Sequence, residues 1–311
     1  MSSRPFTEQA NKYLRSMENV YSQETLKTRA RRYVRMERDL IKLKEEGKVS
    51  TLSPKNMTVE DVKEYLLYHK GKVGASDMVH ENACLRRLLE YCGNPAYSMA
   101  MTQYPFLKVK VKHKRKPTID QDTYNLILKR GLSVDPSDFY LSRAYALVLM
   151  MIRTGTRNKE IRFSNLEDLD TTHWVFHILH VKGEDSYGEP RDVPIHPEIR
   201  SVIMNYVIAR KKWLVDRNAD SQALFPAPPS SKNVYLSSNG IDEIVNIVCK
   251  DLEIKIDARM CRRTFGQKYL DNGLDIESVS ILMGHSSTKT TERFYSRKRL
   301  DQAMAQARET W

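Results

Sequence analysis

Apolar side chains recur at helical spacing through most of the chain, and the first third shows this pattern most regularly. Residues 22–47 carry an apolar position every three or four residues, between a serine that can cap a helix and a glycine that can end one. Thr58 and Asp61 have capping-box spacing at the start of a second helix. Residues 76–93 form a third amphipathic stretch. We therefore predict a helical domain over residues 1–107.

The pattern continues as helices from residue 118 to residue 311 and changes to alternation in one segment. Residues 138–155 are mostly apolar and predict a core helix. Trp174, Phe176 and Ile178 then alternate with polar residues, and an extended stretch resumes at residues 191–195 after a glycine-containing turn. The chain is thus predicted to be mainly α, with a small antiparallel β-sheet in its second domain.

The two predicted domains are joined by a basic segment, residues 108–117, in which lysines alternate with valines before a cluster that ends in proline. Such a segment reads as an extended linker between domains. It could lie along a DNA backbone, with one positive charge near each phosphate. A flexible charged linker is the alternative. The candidate DNA contacts in this segment are Lys110, Lys112, Lys114 and Arg115.

The net charge is +12, and most of it lies in the first part of the chain. Residues 1–116 contain 24 Lys and Arg against 13 Asp and Glu, whereas residues 117–311 contain 27 against 26. A surface with this excess favours a polyanion such as DNA as its partner. Arg29 and Arg32, on the first long helix, are candidate DNA contacts, and a solvated helix surface is the alternative.

Other classes of protein do not fit the composition. The sequence has no apolar run long enough to cross a bilayer, and its first residues lack the apolar core of a signal peptide. The four cysteines form no CxxC pair and no metal-binding cluster with histidines, so we expect them to be reduced. We therefore expect a cytoplasmic, nucleoid-associated protein, or one in the host cytoplasm if a virus or plasmid encodes it.

Two segments of the second domain carry side chains suited to phosphate chemistry. One reads TGTRNKEI and places Arg157 at the edge of a new helix, where a planar guanidinium can grip a phosphate. Glu160 follows three residues later and could orient the arginine, although a purely structural Arg–Glu pair is the alternative. In the other, Lys182 lies at the hairpin turn, where it could donate a proton to a leaving oxygen or could simply be an exposed turn lysine.

Two later segments add cations, a histidine and a tyrosine. Arg259 and Arg262 are three residues apart at the start of a helix, so both can face the same anion, or both can belong to a basic helix face. His285 follows a glycine turn, and Tyr295 lies ten residues beyond it. On their own, these residues do not distinguish Tyr295 from the other fifteen of the 16 tyrosines in the chain.

Together these segments resemble, in order and spacing, the catalytic boxes of tyrosine recombinases, the phage-integrase family. The resemblance covers roughly residues 120–297 and rests on the segments TGTRNKEI, VKGEDSYGEPRDVPI and RMCRRTFGQKYLDNGLDIESVSILMGHSSTKTTERFY. The ending LMGHSSTKTTERFY is similar to that of integrases from archaea and their viruses or plasmids. The first domain is similar to the family's core-binding domain in architecture only. The resemblance implies that the two domains form a C-shaped clamp on DNA.

The resemblance also implies a role for each matched residue. Arg157 and Arg262 would hold the non-bridging oxygens of the scissile phosphate, with Glu160 in support. Lys182 would be the general acid toward the 5′ oxygen, and His285 a further hydrogen-bond donor. Tyr295 would be the nucleophile.

Two features depart from the family pattern. Arg259 stands where the family usually has histidine, and an arginine with a pKa above about 12 is a poor proton shuttle. Lys182 or water is then expected to carry more of the proton traffic. Many bacterial members also have one residue fewer between the histidine and the tyrosine, and an extra residue turns a helix by about 100°.

The expected function is that of a site-specific DNA recombinase or integrase, working through a 3′-phosphotyrosyl intermediate without metal, ATP or other cofactor. The expected partner is double-stranded DNA with a specific recombination site, bound by a homotetramer that is monomeric when free. An apolar stripe in residues 300–311 could dock on a neighbouring protomer or pack on its own chain. The alternatives are a type IB topoisomerase-like relaxing enzyme and a catalytically silent DNA-binding protein.

Overall fold

The chain divides into two compact units, Met1–Lys114 and Arg115–Trp311, in a computed structural model. The structure describes residues 4–111, 116–181, 189–285, 287, 288, 291, 292, 304, 307 and 308. No helix of this described part is long and apolar enough to cross a membrane. The predicted domain boundaries, with a linker at residues 108–117, stay a prediction.

The first unit is helical. Its helices are α1 (Pro5–Ser16), α2 (Gln23–Glu45), α3 (Val59–His69), α4 (Ala75–Tyr91) and α5 (Ala96–Gln103). Ser22 caps α2 by accepting a hydrogen bond from the Thr25 amide, and Thr58 and Asp61 form the predicted capping box of α3. The cap signals in the sequence therefore located the starts of both helices correctly.

A buried carboxylate ties three helices of this unit together. Glu81 of α4 is 1% exposed and accepts a hydrogen bond from the Tyr65 hydroxyl of α3 at 2.7 Å. It also pairs with Arg32 of α2 at 2.6 Å and with Arg35. Because a buried carboxylate needs such partners, these two cations stabilise the core of their own unit, and Arg32 keeps 17% of its side chain exposed.

The second unit contains helices and a small sheet. Its helices are α6 (Gln121–Leu132), α7 (Phe139–Thr154), α8 (Asn158–Arg162), α9 (Arg200–Val215), α10 (Ser238–Asp251), α11 (Ala258–Asp271) and α12 (Ile276–Met283). Helix α7 is buried along nearly its whole length and packs against α9, α10 and α11. This central position agrees with its nearly continuous apolar sequence.

The sheet has three antiparallel strands in the order β1 (Leu169–Asp170), β2 (Val175–Ile178) and β3 (Arg191–Pro194). Phe176 and Ile178 are buried on one face of β2, as the alternation predicted. The mainly α fold with a small antiparallel sheet is confirmed.

Trp174 was wrongly predicted to be part of the alternating strand. It lies in the turn before β2 with φ of 57°. Its ring stacks below the Arg200 guanidinium at 4.9 Å, and its carbonyl accepts a hydrogen bond from the Ile195 amide at 2.7 Å. These two contacts stabilise a left-handed backbone that aromatic residues seldom adopt.

Candidate active site

Glu160 is the centre of a cluster of arginines in the second unit. Its side chain is fully buried and accepts a hydrogen bond from Arg157 Nη1 at 2.6 Å. Arg191 Nη2 donates to the other carboxylate oxygen at 2.8 Å, and Arg262 Nη1 lies 3.9 Å from that same oxygen. Three guanidinium groups thus surround one carboxylate, which leaves a local charge of about +2.

The same three arginines bind consecutive carbonyl oxygens at the C-terminal end of α12. Arg191 Nε donates to the Leu282 carbonyl at 2.8 Å, Arg262 Nη2 to the Met283 carbonyl at 2.6 Å, and Arg157 Nη2 to the Gly284 carbonyl at 2.5 Å. The last carbonyls of a helix have no partner within the helix and carry its negative dipole end. The arginines therefore fix the end of α12, and with it the start of the segment that carries His285.

Helix α7 ends at the residue that lets Arg157 reach this cluster. Gly155 has φ of 63°, and a Cβ placed on it would lie 2.5 Å from a ring carbon of Phe265 in α11. Any other residue would be strained by the backbone and by this contact. The chain then turns, and Arg157 caps α8 with its amide bonded to Glu160 Oε2 at 2.7 Å. One carboxylate thus orients both the backbone and the side chain of Arg157.

The turn after α12 is built in a similar way. Gly284 has φ of 62°, and a Cβ there would lie 2.6 Å from Arg191 Nη1. Only glycine satisfies the left-handed backbone while leaving room for the Arg191 guanidinium.

The charges of the cluster favour the ionised form of Glu160 and the neutral form of His285, so the pKa of each group is lowered. Burial opposes ionisation of Glu160, but hydrogen bonds and charge from Arg191, with the charges of Arg157 and Arg262, lower its pKa to about 2. For His285, burial comes first, and the charges of Arg262, Arg157 and Arg191 add to it, lowering the pKa to about 4. At neutral pH the carboxylate is therefore ionised and the imidazole is neutral.

His285 is held on two sides. Its amide donates to the Ser280 carbonyl at 2.9 Å, and its Nδ1 lies 2.7 Å from the hydroxyl of Thr291, which is fully buried. A neutral imidazole has one N–H group, so the tautomer decides which ring nitrogen donates. If Thr291 donates to Nδ1, the proton of the ring lies on Nε2.

The predicted site residues fall into three groups in the structure. Arg157, Arg262 and His285 lie together around Glu160, and the side chains of Arg157 and Arg262 are 25% and 13% exposed. Arg259, at the start of α11, is exposed and makes no hydrogen bond or ion pair with a described residue. Lys182 and Tyr295 lie outside the described residues.

Arg191 is the member of the cluster that the sequence interpretation missed. A signal was present, because strand residues two apart share a face. Arg191 lies on the same face as Val193 and Ile195, both of which are buried. A charged residue at the inward position of a strand indicates a buried partner, which is Glu160.

The cluster can bind an anion, and its chemistry differs from that of a metal site. Guanidinium groups favour phosphate or carboxylate because their planar forks match these groups with paired hydrogen bonds. Within the described ranges, no group of three or more His, Cys, Asp or Glu side chains could hold a metal ion.

The predicted DNA contacts of the first unit lie in varied settings. The Arg29 guanidinium lies 3.8 Å from the centre of the Tyr21 ring, and Arg32 pairs with the buried Glu81. Lys110 is exposed. The other three predicted contacts, Lys112, Lys114 and Arg115, lie outside the described residues. Their roles in DNA binding stay predictions.

Comparison with known proteins begins with a sequence model of the phage integrase family, which matches residues 117–301 of this chain. The chain is 28% identical over 183 residues to a tyrosine recombinase XerA from Pyrococcus furiosus, covering 58% of this chain and 59% of that one. It is 25% identical over 243 residues to a tyrosine recombinase XerC from Oceanobacillus iheyensis, covering 76% and 75%. The chain therefore spans less than two thirds of the first of these relatives.

The fold is also found among solved structures. The XerH site-specific recombinase, in a post-cleavage complex with a palindromic difH substrate, aligns with a TM-score of 0.67. The alignment covers 96% of this chain and 84% of that chain at 18% sequence identity. At this identity the likeness shows a shared fold.

Proposed function

This chain belongs to the phage integrase family, and from that premise we propose that it is a site-specific DNA recombinase that cuts and rejoins strands through a 3′-phosphotyrosyl intermediate. The observation that carries the proposal is the cluster of three arginines on the buried Glu160. A local charge of about +2 at a partly exposed surface favours a phosphodiester, whose charge increases toward the pentavalent transition state.

In the proposed cleavage step, the Tyr295 oxygen attacks the scissile phosphorus and the phenol proton passes to a base. The bond between phosphorus and the 5′ oxygen breaks, and that oxygen takes a proton from Lys182. Arg157 and Arg262 hold the non-bridging oxygens, and neutral His285 donates one hydrogen bond. Rejoining is the reverse with a different 5′ hydroxyl, so the phosphotyrosyl bond supplies the energy that ATP would otherwise provide.

Arg259 is poorly suited to act as the base that accepts the phenol proton. It occupies the place where the family usually has histidine, and a guanidinium offers hydrogen-bond donors but no acceptor. It can still donate hydrogen bonds to phosphate from its exposed position at the start of α11. Water then accepts the phenol proton, because Lys182 must be protonated to donate to the 5′ oxygen.

The proposed partner is double-stranded DNA carrying a specific site. The basic excess of residues 1–116, with 24 cations against 13 acids, suits contacts with the DNA backbone outside the cleavage site. Arg29, Arg32 and the basic residues 110–115 are the proposed contacts of this part. We further propose that the chain is monomeric when free and tetrameric on DNA, as the family resemblance implies, and that it acts on DNA of an archaeal virus or plasmid.

The decisive test is the covalent intermediate. Binding sites are first enriched from a random-sequence duplex library with the full chain, and a nicked duplex with the enriched site then traps the cleaved state. The wild-type chain should form an adduct that survives SDS, since the short strand beyond the nick diffuses away. Tyr295→Phe should bind the same duplex and form no adduct, because phenylalanine has no oxygen to attack phosphorus.

The control is the same chemical change at an exposed tyrosine of the first unit, Tyr91→Phe, which should leave the adduct in place. An adduct that persists in Tyr295→Phe would contradict the assignment of the nucleophile. Relaxation of any supercoiled plasmid without site preference or strand exchange would instead favour a topoisomerase-like activity.

A further inference from the structure

The second unit contains a cavity of about 540 Å³ whose lining shares no residue with the candidate active site. Its walls come from the start of α7, the segment before α10 and the first turns of α10. The lining residues used below are Tyr140, Arg143, Ser237, Gly240 and Glu243.

Arg143 is the unusual member of this cavity. It is 7% exposed, yet it makes no hydrogen bond or ion pair with any residue in the described part of the chain, and its Nε is buried without a partner. The Phe139 and Tyr140 rings flank its guanidinium, with centroids 5.1 Å and 5.4 Å away. A buried cation costs free energy unless an anion or a set of acceptors compensates it.

Two other buried arginines show how this fold normally meets that requirement. Arg210 is 5% exposed and donates to the carbonyls of Ala223 and Ser221 at 2.5 to 3.0 Å. Arg191 is paired with Glu160 at 2.8 Å. Arg143 has neither kind of partner, so its cavity holds a positive charge with acceptors still to be supplied.

The first turn of α10 adds a second positive element to the same cavity. Ser237 caps this helix of 14 residues and accepts a hydrogen bond from the Gly240 amide at 3.0 Å. The earlier amides of the turn have no acceptor within the helix, and the helix dipole makes this end positive. Both the guanidinium and this helix end therefore give the cavity a positive potential.

Glu243 is the one acidic residue among those that line the cavity. Its side chain is exposed and forms no ion pair with Arg143 in the structure. It therefore lowers the affinity of the cavity for an anion without neutralising the arginine, and it gives an internal control of opposite sign.

We propose that Arg143 binds a backbone phosphate of the DNA duplex outside the scissile position, in the positive potential to which the N-terminal end of α10 contributes. This inference rests on the proposed function, since it names a second contact of the same enzyme with the same polyanion. The ligand chemistry is a phosphate oxygen held by a planar guanidinium. The site contributes to affinity and register and takes no part in bond breaking.

The test measures how the affinity of the full chain for a random-sequence duplex depends on salt. Each phosphate contact adds about 0.9 to the slope of log affinity against log salt concentration. Arg143→Gln should lower that slope by about 0.9 and weaken binding at low salt by at least about tenfold. Arg143→Lys keeps the charge, so it should keep the slope while losing part of the affinity.

Two controls isolate the cavity from general charge effects. Glu243→Gln should tighten binding, because it removes the negative charge that faces the same phosphate. Lys211→Gln removes an exposed cation from α9 and should leave the slope as in wild type. Thermal unfolding of every variant identifies any that does not fold, and Arg143→Lys then keeps the test available.

The outcomes separate the possible sources of the anion. An unchanged slope in Arg143→Gln would overturn the proposal. A second outcome would also overturn the proposal. In it, inorganic phosphate stabilises wild type but not Arg143→Gln, relative to chloride at equal ionic strength, and the two proteins bind DNA equally well. Weaker binding in Glu243→Gln would identify Glu243 as the partner of Arg143 and would also overturn it.

The test of the Arg143 contact is independent of the test for the covalent adduct. Arg143→Gln should still form the covalent adduct at saturating DNA, because the cluster around Glu160 is unchanged. A chain that binds DNA with the expected slopes and forms no adduct would refute the proposed recombinase and leave the Arg143 contact standing.

Discussion

Each arginine of the Glu160 cluster has two kinds of partner, a carboxylate oxygen and a helix carbonyl. For Arg191 these are Glu160 at 2.8 Å and the Leu282 carbonyl at 2.8 Å. Arg191 therefore links the start of β3 to the end of the helix that precedes His285. A side chain in this position can affect the reaction without touching the phosphate, by positioning groups that do.

Replacing Arg191 tests this positioning role at the level of one residue. Arg191→Gln should slow adduct formation at saturating DNA by up to about 100-fold, because small displacements of catalytic groups are costly. It should also raise the pKa of His285 from about 4 toward its ordinary value of 6.5, since one of the charges that opposes the imidazolium is removed. Single-turnover trapping gives the rate, and an NMR titration of the histidine ring protons gives the pKa.

Arg191→Lys is the matched control, because it keeps the charge and loses the paired hydrogen bonds. The pKa of His285 should then stay low while the rate falls part of the way. The resonance of His285 is assigned by its loss in His285→Gln. If Arg191→Gln and Arg191→Lys lost the same rate of adduct formation and the pKa of His285 stayed at its wild-type value in both, the positioning role of Arg191 would be contradicted.

At the scale of elements, the site depends on where helices end. Helix α7 stops at Gly155 and α12 stops at Gly284, both with left-handed backbones, and each glycine is followed within two residues by a residue of the site. Gly155 also lies against Phe265, so the end of α7 is fitted to α11. The positions of Arg157 and His285 therefore depend on helix ends that only glycine allows.

Gly155→Ala tests this fit. The substitution adds backbone strain of about 1–2 kcal/mol and overpacking of about 1–3 kcal/mol against the Phe265 ring, which would lie 2.5 Å from the new Cβ. Chemical denaturation should therefore show a loss of more than about 2 kcal/mol in the free energy of unfolding. Gly273→Ala is the matched control in the same unit, because Gly273 has φ of 90° and no atom within 4 Å of its Cβ position.

In the control, only the backbone strain remains, so its loss should be the smaller of the two. Equal losses in the two variants would mean that α11 moves to accommodate the methyl group, and the contact with Phe265 would then contribute nothing to the position of Arg157.

The sequence predicted those parts of the fold and site that depend on near neighbours. The cap of α2, the capping box of α3 and the pairing of Arg157 with Glu160 all join residues three positions apart. Contacts between distant segments left weaker signals. The bond between Arg191 and the Leu282 carbonyl joins positions 91 residues apart, and no periodicity within a window of sequence encodes it.

At the scale of the whole molecule, most of the net positive charge and the candidate active site lie in different parts of the chain. The basic excess lies in residues 1–116, whereas residues 117–311 are nearly neutral overall and concentrate their local charge around Glu160 and Arg143. Under the proposed function, residues 1–116 would then determine the general attraction to DNA. The second unit would determine which phosphate is attacked. Assembly on DNA would then require a third feature, for which the segment 300–311 is the proposed element.

Met304 tests the proposed assembly. It is 50% exposed, so Met304→Gln should change the free energy of unfolding by no more than about 0.5 kcal/mol. If its stripe docks on a neighbouring protomer, the variant should bind and cleave a single site normally but form fewer complexes that hold two sites together. Native gel electrophoresis of DNA-bound species measures both.

Glu309→Gln is the control, because helical spacing puts position 309 on the face opposite the stripe. Deletion of residues 300–311 extends the test to the whole segment. Two-site complexes that form at the wild-type level after that deletion would show that the segment has no role between protomers.

The close approach of Gly284 to Arg191 has a consequence for how this sequence can change over time. A methyl group at position 284 would meet the guanidinium at 2.6 Å, so the two positions cannot drift independently. A larger residue at position 284 would first require a shorter one at 191, and that change would leave Glu160 with one cation fewer. Related chains should therefore keep glycine and arginine together at these positions or exchange both, a pairing that an alignment of sequences can count.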